Sequence, residues 1–226
     1  MVLLGIGAFF LSRSRTYQVF GRLLSRVETT EKVIALTLDD GPERSTPEIL
    51  DMLDKLGIRA TFYLIGERMA ANPEWTKAIA ERGHEIGNHT YTHHRMVFKS
   101  PGFIPDEIEK SDELIRQAGT TGTITFRPPY GKKLFGLPWY LAKTNRTTVT
   151  WDIEPESDGT DIKNADAIVA DVMKRARPGS IILLHPMQTG SQPIREAIGK
   201  LVPALKVEGY RFVTVGELIA AGKQGW

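Results

Sequence analysis

The chain has 226 residues, a formal net charge of +2, 41% hydrophobic and 25% charged residues, and no cysteine. It is long enough to bury a core without crosslinks, and its composition excludes disordered and fibrous classes, a disulfide framework and any thiolate metal site. The charge balance gives no reason to expect a nucleic-acid partner, the one local basic excess being Arg13, Arg15, Arg22 and Arg26.

Met1 to Leu11 carries no charged side chain, and Ser12-Arg13-Ser14-Arg15 follows. The run is short of the roughly 20 residues a membrane span needs. Residues 1–30 therefore read either as the remnant of a signal peptide or anchor, or as an apolar helix packed on the domain. The first reading goes with peripheral association with the cell envelope and an extracellular or envelope location. The arginines just after the run weigh against it, and a cytoplasmic location stays open.

From residue 31 to residue 226 the pattern is that of a single catalytic domain, in which β-rich runs alternate with helical ones. Val33–Leu38 reads as a buried strand closed by Asp39-Asp40 and stopped by Gly41-Pro42. Thr46-Pro47-Glu48 then opens a helix, with Ile49, Leu53 and Leu56 on one face and Gly57 at its end. Ala60–Ile65 is a second strand, Asn72-Pro73 opens a helix running to Gly83, and His84–Asn88 is a third strand that delivers His89. Met96 to Pro105 is irregular, Pro105 to Gly119 is helical, and Ile124–Phe126 leads into Arg127-Pro128-Pro129-Tyr130-Gly131, where the prolines forbid helix.

A short helix over Leu137–Lys143 and a strand over Thr147–Ile153 come next. Asn164–Ala176 is helical, Ser180–Leu184 is an apolar strand ending at His185, Ser191–Glu208 holds a helix, and Tyr210–Val215 is the last strand before a C-terminal helix. About seven parallel strands alternating with helices point to a distorted (β/α) barrel in preference to an open doubly wound sheet. Asp39, Asp40, His89, Arg127, Asp152 and His185 all follow strand ends, where barrel active sites gather.

Two histidines four apart, His89 and His93, can present two imidazole nitrogens to one ion from a single helical turn, and one of the paired acids completes a three-ligand set. A zinc site with three protein ligands keeps its fourth position for water, and the second acid is left for proton transfer. His185 would protonate a departing amine, and Arg127 would orient the base. Each piece has a plain structural reading: Asp-Asp-Gly-Pro as a turn, His-x-x-x-His as coincidence, His185 as a satisfied core histidine. The combination carries the weight, because three of only five histidines gather at strand ends with the acids.

Leu38-Asp39-Asp40-Gly41-Pro42, His89-Thr90-Tyr91-Thr92-His93, Arg127-Pro128-Pro129-Tyr130 and Leu183-Leu184-His185-Pro186 resemble, in order, the signature motifs of the polysaccharide deacetylases, the NodB-homology domain of carbohydrate esterase family four. The resemblance implies a distorted (β/α) barrel and metal-dependent removal of N-acetyl groups from an N-acetylglucosamine-containing polysaccharide such as peptidoglycan or chitin oligomers. It makes Asp39 the base and Asp40, His89 and His93 ligands of one divalent ion, expected to be zinc. His185 becomes the acid and Arg127 the residue that orients the base. Tyr130 supplies a backbone N–H to the oxyanion, while Leu183 and Trp151 line the substrate pocket.

The fourth motif departs from the family, whose members follow this strand with an Asp-Trp pair. Here Trp151-Asp152-Ile153-Glu154-Pro155-Glu156 stands instead, leaving Asp152, Glu154 or Glu156 to support His185. Three alternatives stand beside the deacetylase reading: hydrolysis of a small amide or imide on the same fold, a catalytically silent glycan-binding domain, and an iron oxygenase using two histidines and a carboxylate. His94 is expected at the surface, Met96, Val97, Phe98 and Phe103 are expected to pack their loop in preference to forming a sugar-binding lip beside the metal, and the sequence carries no signal for oligomeric state.

Overall fold

The computed structural model describes residues 2–222, so Met1 and residues 223–226 of the expected segments lie outside it. In chain order the elements are α1 (Val2–Arg13), β1 (Leu23–Leu24), β2 (Val33–Gly41), α2 (Thr46–Leu56), β3 (Thr61–Leu64), α3 (Gly66–Ala71), α4 (Pro73–Glu81) and β4 (Glu85–Asn88). Then follow α5 (Phe103–Gln117), a 3-10 turn (Pro129–Gly131), α6 (Gly136–Lys143), β5 (Thr148–Val149), α7 (Ala165–Arg175), β6 (Ile181–Leu184), α8 (Gln192–Val207), β7 (Arg211–Phe212) and α9 (Val215–Ala221).

β2 is buried along its whole length, as a strand covered on both faces must be. Its side chains divide by the period of two. Ile34, Leu36 and Leu38 pack outward with Ile49, Leu53, Ile168, Val172, Ile198 and Leu201 of the surrounding helices, whereas Val33 and Ala35 turn inward with Tyr63, Trp151 and Leu183. Thr37 and Asp39 stand in register with the inward set. Each fully buried Leu, Ile or Val of the outer layer contributes about 1.5–3 kcal/mol, which fixes the register of β2.

Parallel ladders run in the order β4-β3-β2-β6, with β7 beside the start of β2 and β1 beside β5. Single bridges continue the circuit from Asn88 to Phe126, from Phe126 to Thr148 and from Ile153 to Ile182. One half of the wall is therefore continuous ladder and the other half the short β1–β5 pair and isolated bridges, the distorted form of barrel. Ile124–Phe126, read as a strand, is reduced to the bridging residue Phe126. Leu23–Leu24 takes a place in the wall that the sequence reading did not assign.

Most element boundaries match the reading, and the differences have local causes. The strand expected over Thr147–Ile153 is only Thr148–Val149, because the carbonyls of Val149 and Thr150 accept hydrogen bonds from the Arg127 side chain, at 3.3 and 3.0 Å. The last strand stops at Phe212 because Thr214 caps α9 in a reciprocal capping box with Glu217. α3 was not expected. It begins at Gly66, where a Cβ would fall 2.3 Å from Tyr91, so only glycine lets the helix start so close to the His89–His93 segment.

Within the N-terminal segment Val2–Arg13 form a helix, α1, and no helix among the described residues is long and apolar enough to cross a membrane. The chain enters the barrel wall before residue 31: Leu24 and Val27 are buried in the inner core, and the Val27 N–H donates to the Gly179 carbonyl at 2.9 Å.

Candidate active site

The paired acids reach one site through a break in the strand. In a regular strand Asp39 and Asp40 would point to opposite faces. Between Asp39 and Gly41 the register with β3 shifts, and Asp40 sits at φ 66°, a bulge that swings its carboxylate to the rim. Both acids then approach the same imidazole: His89 Nε2 lies 3.4 Å from Asp40 Oδ1 and 3.7 Å from Asp39 Oδ2.

His89 and His93 converge as expected, but not on a helical turn. The segment after β4 is irregular, with Thr90 at φ 65° and His93 at φ 58°. Its shape is imposed by neighbours. Thr90 N–H donates to Asn88 Oδ1 at 2.8 Å, His93 N–H to Thr90 Oγ1 at 3.1 Å, and Glu107 on α5 accepts from the N–H groups of Tyr91 and Thr92 at 3.1 and 2.8 Å. His93 Nε2 consequently stands 3.2 Å from His89 Nε2 and 3.1 Å from Asp40 Oδ1. Non-glycine residues at positive φ are uncommon, and Asp40, His93 and Tyr130 hold that conformation around this one point.

The donor set fits a divalent cation. Asp40, His89 and His93 each offer an atom, all within 4.8 Å of one another, and Asp40 Oδ1 is buried with no hydrogen-bond partner. His89 Nδ1 meets the Arg127 carbonyl at 2.7 Å, which sets the ring so that Nε2 carries the lone pair a metal needs. Gln188 Nε2 donates to Asp40 Oδ2 at 2.7 Å and fixes the carboxylate plane. Burial raises the Asp40 pKa, but the His89 and His93 imidazoles packed against its carboxylate outweigh that and hold the carboxyl far below the usual range.

Asp39 is buried against Arg127, whose guanidinium has no exposed surface; Arg127 Nη1 donates to Asp39 Oδ1 and to Thr37 Oγ1, both at 2.7 Å. The guanidinium also lies 4.0 Å over the Tyr63 ring. Asp39 Oδ1 is thereby engaged, and Oδ2 is the oxygen toward the cleft. His185 follows β6 on the other side, its Nε2 3.9 Å from Asp40 Oδ2. Glu156 is the acid that supports it, at 3.1 Å from His185 Nδ1, while its Oε1 also accepts the His185 backbone N–H. Burial would lower the His185 pKa, but Glu156, with added charge from Asp39 and Asp40, pushes it up to about 9.

The other two candidate acids are occupied elsewhere. Asp152 accepts from Ser180 Oγ and the Ile181 N–H, and Glu154 binds Trp151 Nε1 at 2.8 Å and Arg15 at 2.7 Å. A cleft of about 1310 Å³ is lined by Asp39, Asp40, His89, His93, Tyr130, Trp151, Leu183 and His185, with Arg127 behind it. Tyr130 is exposed at φ 58° with its ring 4.8 Å from that of His93. His94 is exposed and stacks on Phe103, whereas Phe98, expected to pack its loop, is 87% exposed on the cleft wall.

Gln188, Arg15 and the α1 residues Phe9 and Arg13 also line or brace the cleft, and none was singled out as a site residue from the sequence. Gln188 was within reach of the strand-end logic, lying in the loop after β6. Arg15 was not, because its partners Glu154 and Asp158 are far along the chain.

A family model described as polysaccharide deacetylase matches residues 26–174. The chain is 36% identical over 195 residues to a peptidoglycan-N-acetylglucosamine deacetylase of Bacillus cereus, covering 84% of this chain and 70% of the relative. It is 32% identical over 197 residues to the peptidoglycan-N-acetylmuramic acid deacetylase PdaA of Bacillus subtilis, covering 84% and 73%. Among solved structures, a peptidoglycan N-acetylglucosamine deacetylase in complex with 4-naphthalen-1-yl-N-oxidanyl-benzamide superposes with a TM-score of 0.81 at 32% identity, over 90% of this chain and 95% of that one. With its signature residues gathered on one barrel rim and two thirds of its length within the family match, this chain belongs to the polysaccharide deacetylase family.

Proposed function

We propose that the chain is a metal-dependent deacetylase that hydrolyses the N-acetyl amide of a peptidoglycan-type glycan, with residues 31–226 supplying its catalytic residues and β1 completing the wall of that domain. Relatives at 32–36% identity named for peptidoglycan deacetylation support that substrate. The observation that carries the reading is the convergence of two strand-end acids, two histidines and His185 across one cleft. A divalent ion, zinc by the chemistry of its Asp and His donors, would be held by Asp40, His89 and His93 and would supply Lewis acidity toward the acetyl carbonyl.

The remaining work falls to the chain's own groups. Asp39, oriented by Arg127, accepts a proton from the attacking water through Oδ2. His185, protonated at neutral pH, gives its proton to the departing sugar nitrogen as the C–N bond breaks, and acetate and a free amine are the products. Glu156 keeps the imidazole turned so that Nε2 carries that proton across the cleft. The Tyr130 backbone N–H stabilises the developing oxyanion, and Leu183 and Trp151 form the wall beside the acetyl methyl.

The cleft volume exceeds the range of about 300–1,000 Å³ usual for small-ligand pockets, which favours an oligosaccharide over a small amide or imide. The chemistry suits an enzyme of the cell envelope or its exterior. The test is acetate release from peptidoglycan fragments and chitooligosaccharides by zinc-loaded protein, with and without a chelator. Chelation is expected to abolish turnover, and Asp39→Asn to lower kcat by about 10²–10⁴. Full turnover by Asp39→Asn would remove the proposed base.

A further inference from the structure

Three cations stand at the cleft with no counter-ion among the described residues. Arg13 ends α1, Arg95 follows the His89–His93 segment and Lys132 follows the Tyr130 turn, and all three line the cavity. The Arg13 guanidinium lies 5.0 Å over the Phe9 ring, Lys132 Nζ lies 6.0 Å from the centre of that ring, and the Arg95 guanidinium lies 5.1 Å over the Tyr130 ring. Because the Tyr130 ring is itself 4.8 Å from that of His93, the cationic rim begins one aromatic ring away from the donor set.

The three are close enough to feel one another: Lys132 has its pKa lowered by partial burial and then by Arg13 and Arg95. Among the described residues, no carboxylate lies within ion-pair distance of any of them. The anions deeper in the cleft are already committed, Asp39 to Arg127, Glu154 to Arg15 and Glu156 to His185. Like charges gathered without a partner repel, and at the mouth of a cleft they raise the local concentration of an anionic ligand. A guanidinium laid on an aromatic face keeps its N–H edge free to meet a carboxylate in fork geometry.

We propose that Arg13, Arg95 and Lys132 bind a carboxylate carried by the glycan, so that the chain selects acidic strands of the peptidoglycan type over neutral chitin-type oligomers. The assignment rests on the deacetylase reading and narrows its substrate. In such strands the carboxylate belongs either to the lactyl ether of a muramic residue or to an attached peptide, and the same cations would serve both.

The experiment compares wild type with the triple variant Arg13→Gln/Arg95→Gln/Lys132→Gln on three substrates: tetra-N-acetylchitotetraose, glycan strands freed of peptide, and peptide-bearing strands. The ratio of kcat/KM on acidic strand to that on chitotetraose is expected to fall at least about tenfold in the triple variant, mainly through KM. In wild type it should also fall as salt rises from about 50 to about 500 mM. Loss on peptide-free strands assigns the lactyl carboxylate, and loss confined to peptide-bearing strands assigns the peptide. An unchanged ratio in the triple variant overturns the proposal. If no substrate releases acetate, the deacetylase reading fails by itself. The rim is then judged by titration calorimetry with peptide-free and with peptide-bearing strands, where equal affinity of wild type and variant for both overturns it and at least tenfold weaker binding of either by the variant sustains it.

Discussion

Arg127 is the largest fully buried side chain among the described residues, and it holds Asp39, Thr37 and the carbonyls of Val149 and Thr150 at once. It binds Asp39, the proposed base, and it also replaces the ladder that β5 would otherwise need on that side. A buried charge pair broken at one member leaves the other uncompensated, which costs about 3–5 kcal/mol. Arg127→Met is therefore expected to lose stability on that scale, read as a lowered urea midpoint, and Arg127→Met/Asp39→Asn is expected to recover part of it by removing the stranded carboxylate. A loss below about 1 kcal/mol in the single variant would mean that the Asp39 pair does not hold the wall together.

At the scale of elements, the junction of α4 and β4 carries a titrating group unrelated to catalysis. His84 is buried, accepts the Ala60 N–H through Nδ1 at 3.1 Å, and lies edge-on to Phe62. Burial, aided by the charges of Arg82 and Arg59 and opposed by that of Asp54, lowers its pKa to about 4. The folded chain thus keeps His84 neutral down to about pH 4, while the unfolded chain protonates it near pH 6.5. Stability from this residue is complete above about pH 6.5 and is lost as pH falls toward 4, by about 3 kcal/mol at most. His84→Gln retains an acceptor for Ala60 without the titration, so its urea midpoint should fall less steeply over that window. Parallel curves for the two proteins would remove His84 from the acid response.

The same scale explains what could be read from the sequence. Strand ends were legible because apolar runs closed by Asp-Asp-Gly-Pro or by His-Pro have few other solutions, and Asp39 and His185 were placed that way, whereas His89 follows the weaker run His84–Asn88. The His89–His93 pairing was legible from spacing, but its local form was not, since Asn88, Thr90 and Glu107 build the turn that a helix was expected to supply. The bulge at Asp40 left no mark in composition. Glu156 was one of three candidates, and the long-range partners that occupy Asp152 and Glu154 leave it as the acid of that segment that meets His185.

For the whole molecule, the question is where the independently folding unit begins. α1 leaves Phe9 and Phe10 exposed and makes few backbone bonds to the barrel, chiefly from Lys133 N–H to the Ser12 carbonyl. The stretch after it is different. Ser14 accepts the buried Lys133 ammonium, the Arg15 carbonyl accepts from Thr150 at 2.6 Å, and the Thr150 N–H donates to Leu24 at 2.8 Å. Leu24 and Val27 are buried where β5 and β6 are joined only by bridges, and each contributes about 1.5–3 kcal/mol. Removal of residues 1–13 should shift Tm by no more than about 3 °C, whereas removal of residues 1–30 deletes a member of the wall and should lower Tm by more than about 10 °C or leave the protein insoluble. Equal melting of the two truncations would place the start of the fold at residue 31 and make β1 an ornament of the surface.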